Sequence, residues 1–341
     1  MTIEKPVTGK SWSLVADIGG TNARLAVVED NRIVSRARYQ TDGDHSLTDV
    51  FADFVGEVGS SPDHVEVAAA GLVRNGSVRL TNANQVLEAS GLVRATGSRT
   101  ARIINDFEAA AWSLVTAVPE DLTLLQGTMI AAQEQSPVPT GNRLIVGPGT
   151  GLGVGAQVWA GRQPHVVQGE GGHIRIAPEC REHVALFDAL SSIWPEVVMG
   201  AGFALEAEAI VSGTGLPFVQ RALEEINGRD VSNLQAAGIF AEAKAHPDGL
   251  SSQAVELFCH YLGAVAGDLA LTLSASGGVF LTGGVLQANS WIFDLPVFLK
   301  AFNEGGRHTP FREAFSVYLY GNGDFGLLGA MNAMRYQPLD G

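Results

Sequence analysis

The sequence predicts an α/β protein made of two domains. Strand-like apolar runs alternate with stretches of helical period along most of the chain, the pattern of a layered α/β fold. A strand, glycine turn, strand pattern opens the chain at 13–28 and returns at 144–159. The 341 residues are enough for two domains at roughly 150 residues each, and 46% of them are hydrophobic, ample for a large core.

Ser13 to Ile18 is rich in branched residues and stops at the double glycine Gly19-Gly20, and Ala23 to Val28 follows at once. The two read as a β-hairpin around 19–22. Arg32 to Tyr39 alternates apolar and polar side chains and adds a third strand. Leu47, Val50, Phe51, Phe54, Val55 and Val58 recur at helical spacing, with Ser46 before them as N-cap. Val65 to Ala70, Ser77 to Leu80 and the short Arg102 to Ile104 read as strands, the last ending in Asn105-Asp106. A loose segment, 126–141, separates this series from a second one. There Leu144 to Val146 runs into the glycine loop 147–153 and Val154 to Trp159 leaves it. Helical stretches dominate from about Phe203 to Leu273, the longest being Ser251 to Leu273. Gly278 to Gly284 is a strand closed by a double glycine, Phe315 to Leu319 another strand, and Gly326 to Arg335 a closing helix.

Lys and Arg number 22 against 36 Asp and Glu, a net charge of −14 with His neutral. That sign argues against a general nucleic-acid or anionic-membrane binder, since such partners attract basic surfaces. The basic cluster Arg94, Arg99 and Arg102 reads as solvated surface. Cys180 and Cys259 provide neither a disulfide framework nor a four-ligand zinc set, as expected in a reducing compartment. The apolar run at the N-terminus is too short for a signal peptide. The uncharged stretches 144–161 and 269–293 are broken by glycines and hydroxyl residues and read as buried core. The expected location is cytoplasmic.

Three loops place an apolar strand before residues that let bare backbone approach a ligand: 17–22, 147–153 and 282–285. Phosphate is best cradled by several N–H donors without side chains in the way. Asp17 beside the first loop would repel bare phosphate, a placement that suits an intervening divalent cation or its water shell. Each loop taken alone reads more simply as a tight turn; three at strand ends favour a nucleotide site. The common nucleotide motifs fail. Gly9-Lys10-Ser11 has the tail of a P-loop, but Glu4 stands at the required leading glycine. Gly151, Gly153 and Ala156 fit a loose dinucleotide pattern, but an extended segment follows where a helix is needed.

The segments Asp17 to Arg24, Ile104 to Phe107, Gly147 to Gly153 and Gly169 to His173 together resemble, in order and separation, the motif series of bacterial ATP-dependent glucokinases. The weaker segments 207–213, 277–284 and 326–329 extend the similarity over nearly the whole chain. The resemblance implies the two-domain hexokinase-like, actin-related (ribonuclease H-like) α/β fold with an interdomain cleft that closes on sugar. It places 1–106 plus 324–341 in a small domain and 107–323 in a large one. It also implies transfer of the γ-phosphoryl of ATP to the 6-hydroxyl of D-glucose, and a homodimer. On the matching positions, Asp106 becomes the base that receives the hydroxyl proton, and Asn105, Asp106, Glu170, His173 and Glu208 become sugar ligands, with Asn82 facing the same site. Gly19, Gly20, Thr21 and Asn22 would approach the phosphates from one domain, and Gly149, Thr150 and Gly151 from the other. Gly283 and Gly284 would leave a slot for adenosine, and Asp17 would organise Mg2+ through water.

Each of these residues also has a plainer reading. Asp106 suits the N-cap of a helix over 107–114. Glu170 suits a solvated turn, His173 an ordinary turn or core histidine, and Glu208 the polar face of a helix. Phosphoryl transfer asks mainly for positioning, charge stabilisation and a base for the hydroxyl proton, a task an ionised aspartate meets without unusual tuning. A hexose presents hydroxyls that both donate and accept, and one carboxylate can bridge two of them. The chain departs from the family at Gly71-Leu72-Val73, where Gly-Pro-Val is usual, which bears on sugar selectivity. Cys180 alone lies close after the Glu170 to His173 segment, against the cysteine-rich zinc motif of the related repressor-and-kinase branch. Two other readings compete. One is a hexose kinase preferring mannose, fructose or polyphosphate. The other is a non-catalytic sugar sensor acting on transcription, disfavoured because the first strand starts near Ser13 without a preceding helix-turn-helix. An actin- or chaperone-like ATPase would leave Glu170 and His173 unexplained.

Overall fold

The computed structural model describes residues 10–19, 22–40, 46–80, 85–130 and 141–338. The chain divides into two compact units, 1–117 with 157–167 and 322–341, and 118–156 with 168–321. This differs from the 1–106 plus 324–341 expected from the sequence. The helix that follows Asp106 goes with the first unit, because it packs on the closing helix.

The first unit is built on a five-stranded sheet of order β3-β2-β1-β4-β8, made of β1 (Ser13–Ile18), β2 (Asn22–Glu29), β3 (Arg32–Gln40), β4 (His64–Ala69) and β8 (Thr100–Asn105). β1 and β2 form the expected antiparallel hairpin, with Asp17 opposite Arg24, while β1, β4 and β8 run parallel. Alternation along β1 divides the core: Leu14, Ala16 and Ile18 face one cluster with Phe51 and Phe54, and Val15 faces another with Leu327 and Met331. Phe51 and Phe54 belong to α1 (Leu47–Val58), where Ser46 Oγ accepts from the Asp49 N–H at 3.2 Å. A small sheet of β5 (Val73–Arg74), β6 (Ser77–Arg79) and β7 (Val86–Glu88) follows, then α2 (Ala89–Thr96). α3 (Asp106–Ser113) packs against the closing helix α11 (Phe325–Tyr336). Gly329 permits the contact: a Cβ built there would stand 1.9 Å from the Ala109 carbonyl oxygen. Buried Asn332 adds a hydrogen bond from Nδ2 to the Trp112 carbonyl at 3.0 Å.

The other large sheet has the order β12-β11-β10-β16-β17-β9, made of β9 (Leu122–Gln126), β10 (Arg143–Pro148), β11 (Leu152–Ala160), β12 (Gln163–Val167), β16 (Gly278–Leu281) and β17 (Val317–Tyr320). The division between units falls within β11, after Ala156. β10, β16 and β17 are parallel, buried strands, and β9 runs antiparallel to β17. A three-stranded sheet, β13 (Arg175–Ile176), β15 (Ala204–Glu206) and β14 (Val198–Met199), lies in the second unit together with α4 (Arg181–Ile193), α5 (Leu216–Ile226), α6 (Ala236–Ala245), α7 (Leu250–Leu273), α8 (Gly284–Ala288), α9 (Val297–Asn303) and α10 (Thr309–Glu313). Among the described residues α7 alone is long and apolar enough to cross a bilayer, and 61% of its most apolar window is buried inside the fold. Two expectations are corrected here. Residues 204–209 form β15 and a 3-10 turn at Ala207–Ala209 instead of a helix, because pairing with β13 and β14 overrides the local helical preference of alanine and glutamate. α4 lies outside the stretch expected to be helical and buries Leu186, Phe187 and Leu190.

Candidate active site

In the first unit, β1 ends at Asp17-Ile18 and β2 carries Arg24, whose Nη1 lies 3.7 Å from Asp17 Oδ2. Burial pushes the Asp17 carboxyl above the ordinary aspartate value; Arg24 opposes the shift and Asp324 reinforces it. Gly326 makes room for this carboxylate, since a Cβ there would stand 2.4 Å from Asp17 Cγ. Gly19 donates its N–H to the Asn22 carbonyl at 2.9 Å and closes the expected turn. The Asn22 side-chain oxygen accepts from Arg38 Nε at 3.0 Å. Gly20, Thr21 and Asn82 lie outside the described residues.

β8 delivers Asn105 and Asp106 to the start of α3. The cap is Asn105, whose Oδ1 accepts from the N–H groups of Phe107 at 2.8 Å and Glu108 at 3.3 Å; Asp106 is the first helical residue. The expectation that Asp106 is the cap is therefore corrected by one position. Asp106 Oδ1 accepts from the Phe107 N–H at 3.0 Å, and its carboxylate is half-buried. Asn105 Nδ2 donates to the Gly71 carbonyl at 3.0 Å and so pins the Gly71-Leu72-Val73 loop. Gly71 is at φ +145° with the Arg79 carbonyl oxygen 2.6 Å from where a Cβ would be, and the Leu72 beside it is 52% exposed.

In the second unit the glycine loop 147–153 is held by three neighbours. The Gly213 and Thr214 N–H groups donate to the carbonyls of Gly149 and Thr150 at 2.8 and 3.1 Å, and Gly149 donates to the Gly151 carbonyl at 2.8 Å. Gly283, at φ +104°, approaches so closely that a Cβ would stand 2.6 Å from the Pro148 carbonyl oxygen. The Leu152 N–H donates to Glu208 Oε2 at 2.7 Å. A Cβ on Gly151 or Gly283 would intrude on this arrangement, whereas open space surrounds Gly149 and Gly284. Two of the three expected phosphate loops thus meet, joined by Gly213-Thr214, which no local signal in the sequence singled out.

Gly171 and Gly172 press the segment after Glu170 onto the start of β11, since a Cβ at Gly172 would collide with the Leu152 carbonyl. This brings His173 to Glu206 and Glu208, and ligand atoms of the three lie within 4.8 Å of one another. His173 Nδ1 is 2.9 Å from Glu206 Oε2. Burial lowers the His173 imidazole, but the hydrogen bond to Glu206 and the charges of Glu208, Glu206 and Glu170 outweigh it and hold it above the ordinary histidine value. Exposed His173 with half-buried Glu206 and Glu208, beside exposed Glu170, makes a compact polar set that Glu208 ties to the glycine loop.

A protein-family model described as Glucokinase matches residues 14–337. The chain belongs to the glucokinase family. It is 34% identical over 326 residues to a glucokinase of Caulobacter sp. (strain K31), covering 94% of both chains. A crystal structure of glucokinase from an Antarctic psychrotroph superposes with a TM-score of 0.80 at 26% identity, covering 96% of this chain and 99% of that one. The glucokinase of Balamuthia mandrillaris, solved in complex with glucose, shares the fold with a TM-score of 0.76 at 23% identity, covering 95% and 94%. The hexokinase-like, actin-related α/β fold implied by the motifs is thus the fold of this glucokinase-family chain.

Within the family assignment, Glu208 is doubly placed, on the 3-10 turn after β15 and on the N–H of the glycine loop. Glu206 is a member of this cluster that the motifs did not include. It lies two positions before Glu208, at the end of β15 opposite Arg175, and nothing local in the sequence tells which of the two carboxylates meets His173.

Proposed function

We propose that this glucokinase-family enzyme transfers the γ-phosphoryl of ATP to the 6-hydroxyl of D-glucose, with Asp106 receiving the hydroxyl proton. The observation that carries the reading is Glu208, one carboxylate that belongs to the His173 cluster and accepts the N–H of the glycine loop. A hydroxyl-binding set and a phosphate-binding backbone loop built on one side chain suit a reaction between a sugar and a nucleotide.

Asn105, Glu170, His173 and Glu208 hold the sugar through its hydroxyls in this reading, and Asn105 also fixes the start of α3 on which Asp106 stands. The attacking oxygen loses its proton to the Asp106 carboxylate as it bonds to the γ-phosphorus and the bond to the β-phosphate oxygen breaks, leaving ADP. The bare backbone of 149–151, with Gly19, receives the phosphates, and Gly283 and Gly284 leave room for the base. Asp17 fits a hydrated Mg2+: its carboxylate is opposed by burial and by Asp324, and a hard cation relieves both. Mg2+, when bound, neutralises phosphate charge. A cytoplasmic location and a homodimer belong to the same proposal, and light scattering on the purified protein tests the latter.

A second reading, preference for another hexose, is favoured by Leu72, exposed on the loop that Asn105 pins. Both are tested by measuring sugar phosphate formation with glucose, mannose, fructose and N-acetylglucosamine as acceptors and ATP or polyphosphate as donor. Glucose with ATP is expected to give the highest kcat/KM. No sugar-dependent transfer, or a higher kcat/KM with another pair, overturns the proposal.

A further inference from the structure

Histidine beside carboxylates poses a question of donors and acceptors. A carboxylate only accepts, so a sugar hydroxyl that touches Glu170 or Glu208 must give its proton to that oxygen. If the same hydroxyl also meets His173, its lone pair needs a donor there. A neutral imidazole whose Nδ1 carries the proton offers Nε2 as an acceptor, the wrong polarity; an imidazolium offers Nε2–H.

We infer that Glu206 is a positioning residue for the sugar: it holds the Nδ1 proton of His173 and keeps the ring charged, so that Nε2–H is presented as a donor to a sugar hydroxyl. The inference rests on the reading of His173 and its neighbouring carboxylates as sugar ligands. Its geometry is the 2.9 Å contact between His173 Nδ1 and Glu206 Oε2, which fixes both the ring orientation and the tautomer. Glu206 is free for this task. It stands at the end of β15, where the backbone of β15 pairs with Arg175 and Ile176 on β13, while its side chain points to His173. Glu208 is held by a different partner, since its Oε2 accepts from the Leu152 N–H. The charged groups that act on the ring are Glu206 from β15, Glu208 from the following turn and Glu170 from its own segment, and all three are acidic. The charges therefore favour the imidazolium from every side. The ring is accessible to a ligand, with 46% of the side chain exposed against 24% for Glu206.

Glu206→Gln tests this in the full-length enzyme, because it keeps the side chain's size and removes the charge. Two readouts are needed. The first is the titration of the His173 ring followed by NMR, with His173→Gln identifying the signal; Glu206→Gln is expected to move its midpoint to lower pH. The second is steady-state kinetics across pH. KM for glucose is expected to rise as the ring deprotonates, to rise at lower pH in Glu206→Gln than in the wild type, and to be about tenfold higher at neutral pH, the order expected for losing a charged hydrogen bond. kcat and KM for ATP are expected to stay within twofold. Glu206→Ala, with neither charge nor acceptor, is expected to show at least the same shift. If the wild type phosphorylates hexoses and both variants leave the His173 midpoint and KM for glucose unchanged, the inference fails while the proposed function stands. If the wild type phosphorylates no hexose, the sugar reading falls and takes the inference with it.

Discussion

Gly329→Ala asks whether the approach of α11 to α3 sets the position of Asp106. The added Cβ would stand 1.9 Å from the Ala109 carbonyl oxygen, where an ordinary contact is about 3.4 Å. The two helices must then separate by about 1.5 Å, or the strain must be absorbed locally. α3 is eight residues long and is tied to α11 again through Asn332, so it moves largely as one piece and takes Asp106, its first residue, with it. Overpacking of this kind costs about 1–3 kcal/mol. Alanine returns about 1 kcal/mol of helix propensity, for a net loss of about 0–2 kcal/mol. A displacement near 1 Å at a reacting group lowers turnover by about 10²-fold. The matched control is Gly56→Ala on α1, exposed and with nothing within 4 Å of a Cβ, which should gain up to about 1 kcal/mol and leave turnover alone. The assays are urea unfolding and ADP release coupled to a dehydrogenase. If Gly329→Ala stabilises as Gly56→Ala does and its kcat stays within twofold of wild type, the account of α3 as the support of Asp106 is refuted.

Glu208→Ala removes the acceptor of the Leu152 N–H together with a proposed sugar ligand, so KM for ATP and KM for glucose should both rise, each by about tenfold or more; a rise for glucose alone would separate Glu208 from the glycine loop. Burial and the like charge of His260 hold the His183 imidazole below its ordinary value, against the pull of Glu179 and Glu182. The stability this confers is present above pH ~6.5 and is lost as pH falls, because the unfolded chain takes up a proton that the folded ring resists. The melting temperature should therefore drop between pH 7.5 and 5.5, and less so in His183→Gln; equal drops would exclude His183 as a cause.

Local pattern made the first unit the more legible. The β1–β2 hairpin ends at its double glycine, and Ser46 caps α1 through the Asp49 N–H as the spacing predicts. Asn105 and Asp106 show where local pattern stops: either side chain suits a cap, and only the extended φ/ψ of Asn105 at the end of β8 decides for it. Residues 204–206 show the same in the second unit. Alanine and glutamate favour helix, and two partner strands 5 to 31 positions upstream make them a strand. That strand is what turns Glu206 toward His173, so the pair was invisible until the strand was known. The support of the glycine loop by Gly213-Thr214 is likewise a contact across more than 60 positions. The motifs named the residues, and long-range pairing assigned their partners.

The central claim is that Asp106 takes the proton from the hydroxyl that attacks ATP, and Asp106→Ala tests it most directly. With Mg2+ and ATP saturating, kcat for glucose should fall by about 10²–10⁴-fold, while calorimetry with glucose finds a dissociation constant within about threefold of wild type. Turnover near the wild-type rate in that variant would contradict the account.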